Sequence, residues 1–259
     1  MLAHDVAGEG PAILLVHEGI SDRRMWEPQV APLVAGGYRV VRCDLPGFGD
    51  SELTPGPFSN LDELHELLAQ LGIDQVSLIG GSFGARVSLE YALTYPEQVD
   101  ALVLMVPGLR DVDWSDELRQ SFEEEDALVE AGDLEAAVEL NLRVWVDGPA
   151  RKPDQVDPAV RESVREMVRR SFELQLAVPE AGPAESFDPP ASARLGEIRF
   201  PVLIVVGDLD QPDILRVADR LAEGIPEARK EVIPGTAHVP SMEKPEEFNR
   251  LVLNFLQTA

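Results

Sequence analysis

Residues 76–84 read Val76-Ser77-Leu78-Ile79-Gly80-Gly81-Ser82-Phe83-Gly84. An apolar, β-branched run leads into G-x-S-x-G, and the stretch from Ala85 to Tyr95 continues with helical apolar spacing. A strand that turns at once into a helix must reverse within a few residues. The apex residue is then strained, and its neighbours two positions either side must be tiny. This pattern places Ser82 exposed at the top of a sheet, at the positive end of the following helix.

Upstream, Met1 to Ala7 reads as a short strand, and Gly8-Glu9-Gly10-Pro11 as a turn. The apolar run Ala12 to Val16 reads as a strand buried on both faces, and it enters His17-Glu18-Gly19-Ile20. Trp26 to Val34 is a helical pattern, and Tyr38 to Cys43 is a strand ending in the turn-rich loop Asp44 to Ser51. Asn60 with Glu63 has the form of a capping box before Leu61, Leu64, Leu67, Leu68 and Leu71. Downstream, Ala101 to Val106 is another buried strand. Strands alternating with helices predict an α/β fold with a doubly wound, mostly parallel sheet. The alternation stops between Pro107 and Phe200, where no strand is expected. Helices are expected over Ser115–Ala131, Asp133–Val146 and Asp157–Ala177, followed by a proline-rich linker from Pro179 to Pro190. Residues 108–199 therefore read as an inserted helical cap on a core made of 1–107 and 200–259. The sheet resumes at Val202 to Val206, and a last strand leads to Pro234-Gly235-Thr236-Ala237-His238.

A serine hydroxyl needs a base to become a nucleophile. Of the four histidines, His4 and His65 read as surface residues, and His17 as a ligand of its own loop. His238, in a loop directly after a strand, is the candidate base. Its orienting carboxylate is expected from Asp210 in the chain order Ser, Asp, His. Asp208 reads as a solvated turn residue, and Asp111 is a more distant alternative. An oxyanion hole needs two backbone donors: Phe83, after the nucleophile, supplies one, and the His17 loop the other.

Together these features resemble the α/β-hydrolase fold superfamily, in its branch of capped esterases, lactonases and carbon–carbon hydrolases. The resemblance rests on the His17 loop, Asp44-Leu45-Pro46-Gly47-Phe48-Gly49-Asp50-Ser51, the Ser82 turn and Gly235-Thr236-Ala237-His238, and spans nearly the whole chain. It implies a catalytic triad of Ser82, Asp210 and His238. A serine rather than an aspartate at the turn argues against the family's dehalogenases and epoxide hydrolases. One departure stands out. The family places His-Gly before an apolar residue, whereas Glu18 occupies the glycine position here, so Gly19 takes the oxyanion place. An ionised carboxylate aimed inward would oppose catalysis, so Glu18 is expected to pair with Arg23, Arg24 or Arg86 and anchor the loop. Glu18, Ile20, Trp114, Leu142 and Trp145 are the pocket-lining candidates.

Composition limits the alternatives. The chain has 259 residues, 47 acidic and 22 basic, for a formal net charge of −25. Nucleic-acid binding, which needs clustered Lys and Arg, is not expected. Cys43 is the only cysteine, which excludes an intramolecular disulfide and reads as a buried, inert thiol. No signal peptide and no membrane-length apolar run is apparent, so a cytoplasmic protein is expected. The expected activity is hydrolysis of a small carboxylic ester or lactone, without metal or cofactor. The alternatives are C–C or thioester cleavage by the same triad, or a noncatalytic ligand receptor. No feature specifies an oligomeric state.

Overall fold

The apolar runs with no polar alternation form strands covered on both faces. A computed structural model describes residues 2–183 and 187–259. Met1, at the start of the expected first strand, and Ala184, Glu185 and Ser186 of the expected linker lie outside the described residues. The strands are β1 (His4–Ala7), β2 (Ala12–Val16), β3 (Arg39–Cys43), β4 (Gly56–Phe58), β5 (Val76–Gly81), β6 (Val99–Met105), β7 (Ala181–Pro183), β8 (Val202–Gly207) and β9 (Arg229–Ile233). The helices are α1 (Glu27–Ala35), α2 (Asn60–Gln70), α3 (Phe83–Thr94), α4 (Asp116–Glu130), α5 (Leu134–Asn141), α6 (Pro158–Ala177), α7 (Pro212–Gly224), α8 (Pro240–Glu243) and α9 (Pro245–Leu256).

Seven strands form one sheet in the order β1-β3-β2-β5-β6-β8-β9. Only β1 runs antiparallel to its neighbour, so the sheet is doubly wound and mostly parallel. Successive residues of one strand serve opposite cores. Leu14, Val16, Leu102 and Leu104 pack with α2, α3 and α7, whereas Ile13, Leu15, Val103 and Met105 pack with Leu33 of α1 and Phe248 and Val252 of α9. The central strand, β5, ends at Gly81 and delivers Ser82 to the C-terminal edge of the sheet, where sites of open parallel sheets gather.

Five local expectations change. Ser59, not Asn60, caps α2: its side chain accepts the Asp62 N–H at 3.1 Å, and Asn60 is already the first helical residue. The segment between β6 and β8 holds a strand after all, because β7 pairs in parallel with β4. Each of these strands is three residues long, with proline and glycine, too short to show alternation. The helix expected through Val146 leaves α-geometry at Asn141 and continues as a π-helical turn over Leu142–Asp147. His65 is half-buried rather than a surface residue, because its ring stacks on Tyr95 at 4.3 Å. His4 is half-buried as well, held to the Leu2 carbonyl at 2.8 Å. Among the described residues, no helix is long and apolar enough to cross a membrane.

Candidate active site

The turn at Ser82 is as tight as its glycines require. Ser82 has φ 48° and ψ −107°, a conformation that side chains other than glycine's rarely adopt. A Cβ on Gly80 would lie 2.4 Å from the Gly84 carbonyl oxygen, and one on Gly84 would lie 2.3 Å from that of His17. The Ser82 N–H donates to the Met105 carbonyl at 2.9 Å, which ties the strained residue to β6. Its hydroxyl stands at the N-terminus of α3, where the helix dipole favours negative charge.

His238 reaches Ser82 from the loop after β9. His238 Nε2 lies 2.8 Å from Ser82 Oγ, and His238 Nδ1 lies 2.8 Å from Asp210 Oδ2. Asp210 and His238 are buried, and the second carboxylate oxygen of Asp210 accepts the Gln211 N–H at 2.7 Å. Burial alone would depress the basicity of His238. The Asp210 charge and hydrogen bond outweigh burial and raise it, and a charge on Glu18 would add to them. Asp208 is exposed and turned away, its carboxylate accepting the Gly235 N–H at 2.5 Å. Asp111 is tied to Arg220 and Ser192.

The π-helical turn locks the histidine loop. Widening a helix frees backbone carbonyls, and here those of Val144 to Asp147 find partners outside the turn. The Trp145 carbonyl accepts the His238 N–H at 3.3 Å, and the Val144 carbonyl accepts Gln211 Nε2 at 2.7 Å. Arg151 donates to the Val146 and Asp147 carbonyls and pairs with Glu243, whose Oε1 accepts the Ala237 N–H at 2.9 Å. The Trp145 ring lies 4.6 Å from the His238 ring.

His17 acts within its loop. Its Nδ1 donates to the Glu18 carbonyl at 2.7 Å, and its Nε2 accepts the Leu45 N–H at 3.0 Å. That tautomer is neutral, and burial lowers the proton affinity of the ring despite the hydrogen bond to Glu18. Asp44 fastens the neighbouring loop through the Arg23 and Asp50 amides and the Arg23 guanidinium. Gly19 packs against Phe83, a Cβ at Gly19 falling 3.5 Å from Phe83 Cβ. Phe83 is the first residue of α3, so its N–H has no helical carbonyl to bond.

A cleft of about 450 Å³ opens beside Ser82. Trp114 and Trp145 line it, with Arg86, Arg110, Phe122 and Ile214. Three pocket expectations fail. Leu142 is fully buried in the apolar core, Ile20 is buried there too, and Glu18 has no exposed surface. A cap residue on the core-facing side of its helix looks the same in sequence as one facing the cleft. Arg86 had a legible signal, because it stands four residues after Ser82, one turn along the same helix. Arg110 had none. It is aimed by a bidentate pair with the buried Glu90, at 2.7 and 2.9 Å. Arg151 and Glu243 also went unseen, because they meet across 92 residues of sequence. Among the described residues, no group of three or more His, Cys, Asp or Glu could hold a metal ion.

Comparison with known proteins gives the same architecture. The family model for the alpha/beta hydrolase fold matches residues 11–245. The chain is 27% identical to a 2-hydroxy-6-oxo-6-phenylhexa-2,4-dienoate hydrolase of Comamonas testosteroni, covering 99% of this chain and 91% of that protein. It is also 27% identical to a pimeloyl-[acyl-carrier protein] methyl ester esterase of Aeromonas hydrophila, covering 96% of each. A thermophilic esterase from Thermogutta terrifontis superposes with a TM-score of 0.83 at 27% identity, covering 99% of this chain and 93% of that one.

Proposed function

Because this chain belongs to the alpha/beta hydrolase family, we propose that it is a serine hydrolase cleaving a small carboxylic ester or lactone through an acyl-enzyme. The observation that carries this reading is the hydrogen-bonded series Ser82 Oγ, His238, Asp210, with both links at 2.8 Å. His238 takes the Ser82 proton as the oxygen attacks the substrate carbonyl. Asp210 holds the imidazolium in its orientation. The Gly19 and Phe83 amides bind the oxyanion of the tetrahedral intermediate. His238 then gives its proton to the leaving alkoxide, which departs as the alcohol. It next draws a proton from water as the water oxygen attacks the acyl-enzyme, and returns that proton to Ser82 Oγ as the acyl–oxygen bond breaks, releasing the acid and free Ser82. Residues 108–199 serve as the cap, with Trp114, Phe122 and Trp145 forming an apolar wall for the acyl or alcohol group.

A second reading, C–C cleavage of a dienoate-type substrate, is favoured by one observation. Arg86 and Arg110 bring guanidinium groups to the cleft, Arg110 held there by Glu90, and such donors suit a substrate bearing a carboxylate. The esterase relative is an equal counterweight, and the same triad serves both.

The test is labelling with a fluorophosphonate, followed by turnover of p-nitrophenyl esters of increasing acyl length and of a 2-hydroxy-6-oxo-dienoate. Labelling at Ser82 with ester turnover supports the first reading. Turnover of the dienoate alone selects the second. No labelling and no turnover refutes both.

A further inference from the structure

Glu18 stands where the family's glycine would be, and its surroundings are not those expected of it. Its side chain is completely buried, and neither carboxyl oxygen has a hydrogen-bond partner among the described residues. It fills the slot under the nucleophile turn: a Cβ on Gly81 would lie 2.7 Å from Glu18 Cγ and 3.1 Å from Glu18 Oε1. The expected arginine partner is not there. Arg23 is bound to Asp5, Asp44 and Asp50, and Arg24 to Asp22. The Arg86 guanidinium lies over the Phe83 ring, 5.0 Å from its centroid. The titratable groups whose charge acts on Glu18 are His238, Asp210 and Glu243. Two of these are acids, and the third is the base of the site. A carboxylate enclosed in such a place, with no donor, is strongly disfavoured against the neutral acid.

We propose that Glu18 is a positioning residue that works as the uncharged acid, packing under Gly81 beside the oxyanion amides, and that its ionisation switches the site off. The proposal rests on the reading of Ser82 as nucleophile. Burial is the main reason the carboxyl holds its proton, and it drives Glu18 up to about 8; the charge of His238 works against the shift, and those of Asp210 and Glu243 add to it. A charge formed there acts twice. It opposes the oxyanion developing next to Gly19, the effect that acylation by an activated ester reads, and by tightening the hold of His238 on its proton it makes the imidazolium a poorer acid toward an alkoxide leaving group. Glutamine has the same shape and no charge. The change that would weaken an anchoring carboxylate therefore leaves this site competent.

Two measurements on the whole protein decide the matter. In protein carrying 13C-labelled glutamate, the Glu18 carboxyl signal, identified by its absence from Glu18→Gln, is expected to titrate near 8. The rate of Ser82 acylation by p-nitrophenyl acetate is expected to fall roughly tenfold or more through the same range, because a unit charge in a dry site is worth at least that much. Glu18→Gln should keep the neutral-pH kcat within about threefold at unchanged KM and lose the alkaline fall. If the glutamine variant does not fold, Glu18→Met fills the slot without titrating. A Glu18 carboxyl already ionised at neutral pH overturns the proposal, as does an unchanged alkaline fall in the variant. A Ser82 that reacts at no pH refutes the hydrolase reading and the role with it. That result differs from a reactive Ser82 beside an ionised Glu18.

Discussion

At the residue scale, the triad geometry separates two aspartates that lie two positions apart. Asp210→Asn should cut kcat by about three orders of magnitude or more, because His238 loses the carboxylate that selects its tautomer. Asp208→Asn should cost less than about tenfold, since its exposed side chain only accepts the Gly235 N–H. The reverse ranking in p-nitrophenyl ester kinetics would reassign the orienting acid. Ser82→Ala should lower turnover by roughly three orders of magnitude or more with unchanged far-UV circular dichroism. The acid side of the pH profile follows from His238. Only the neutral imidazole can take the Ser82 proton, and its proton affinity is raised above the ordinary value of 6.5. Activity should therefore fall as pH drops through a midpoint above 6.5, and a midpoint below it would contradict the Asp210 pairing.

At the element scale, the site depends on how closely β2, β5 and α3 meet, and on a π-turn that reaches across to a loop. Gly84→Ala would drive a methyl group into the backbone of Val16 and His17, at 2.5 and 2.3 Å from their carbonyl oxygens. A loss of about 3 kcal/mol or more in denaturant unfolding is expected, because α3 cannot lift off β2 without opening the packed core between them. The π-turn is tested through Glu243, whose side chain is 8% exposed and pairs with Arg151 at 9%. Glu243→Ala strands Arg151 and releases the Ala237 amide next to His238. It should destabilise the protein by about 3 kcal/mol and lower kcat more than it changes KM. A drop in stability without any change in kcat would mean that the loop holds His238 unaided. These contacts explain why the helix expected through Val146 stops early: the wider turn frees the carbonyls of Val144 and Trp145 for Gln211 and His238.

At the scale of the whole molecule, one buried acid shapes stability against pH. Glu18 titrates about 8 in the folded chain against 4.5 for an ordinary glutamate. The folded state therefore binds the extra proton. The stability this adds is complete below 4.5 and is lost as pH rises toward 8. Glu18→Gln removes that slope, so its urea midpoint relative to wild type should rise between those pH values; a constant difference would mean that Glu18 does not change charge on folding. The architecture was legible from local pattern alone. Unbroken apolar runs such as Leu14–Val16 and Leu102–Met105, alternating with helical patterns, suit a parallel sheet covered on both faces, and G-x-S-x-G between a strand and a helix suits the tight turn at Ser82. Ser82, Asp210 and His238 could be named because each stands in a loop just after a strand, and parallel strands deliver all such loops to one edge. The charge state of Glu18, the aim of Arg110 and the Arg151–Glu243 tie were decided only by tertiary structure. Each depends on which groups surround a side chain after burial, and the Glu18 carboxyl, expected to pair with Arg23, Arg24 or Arg86, is enclosed with none of them as a hydrogen-bond partner.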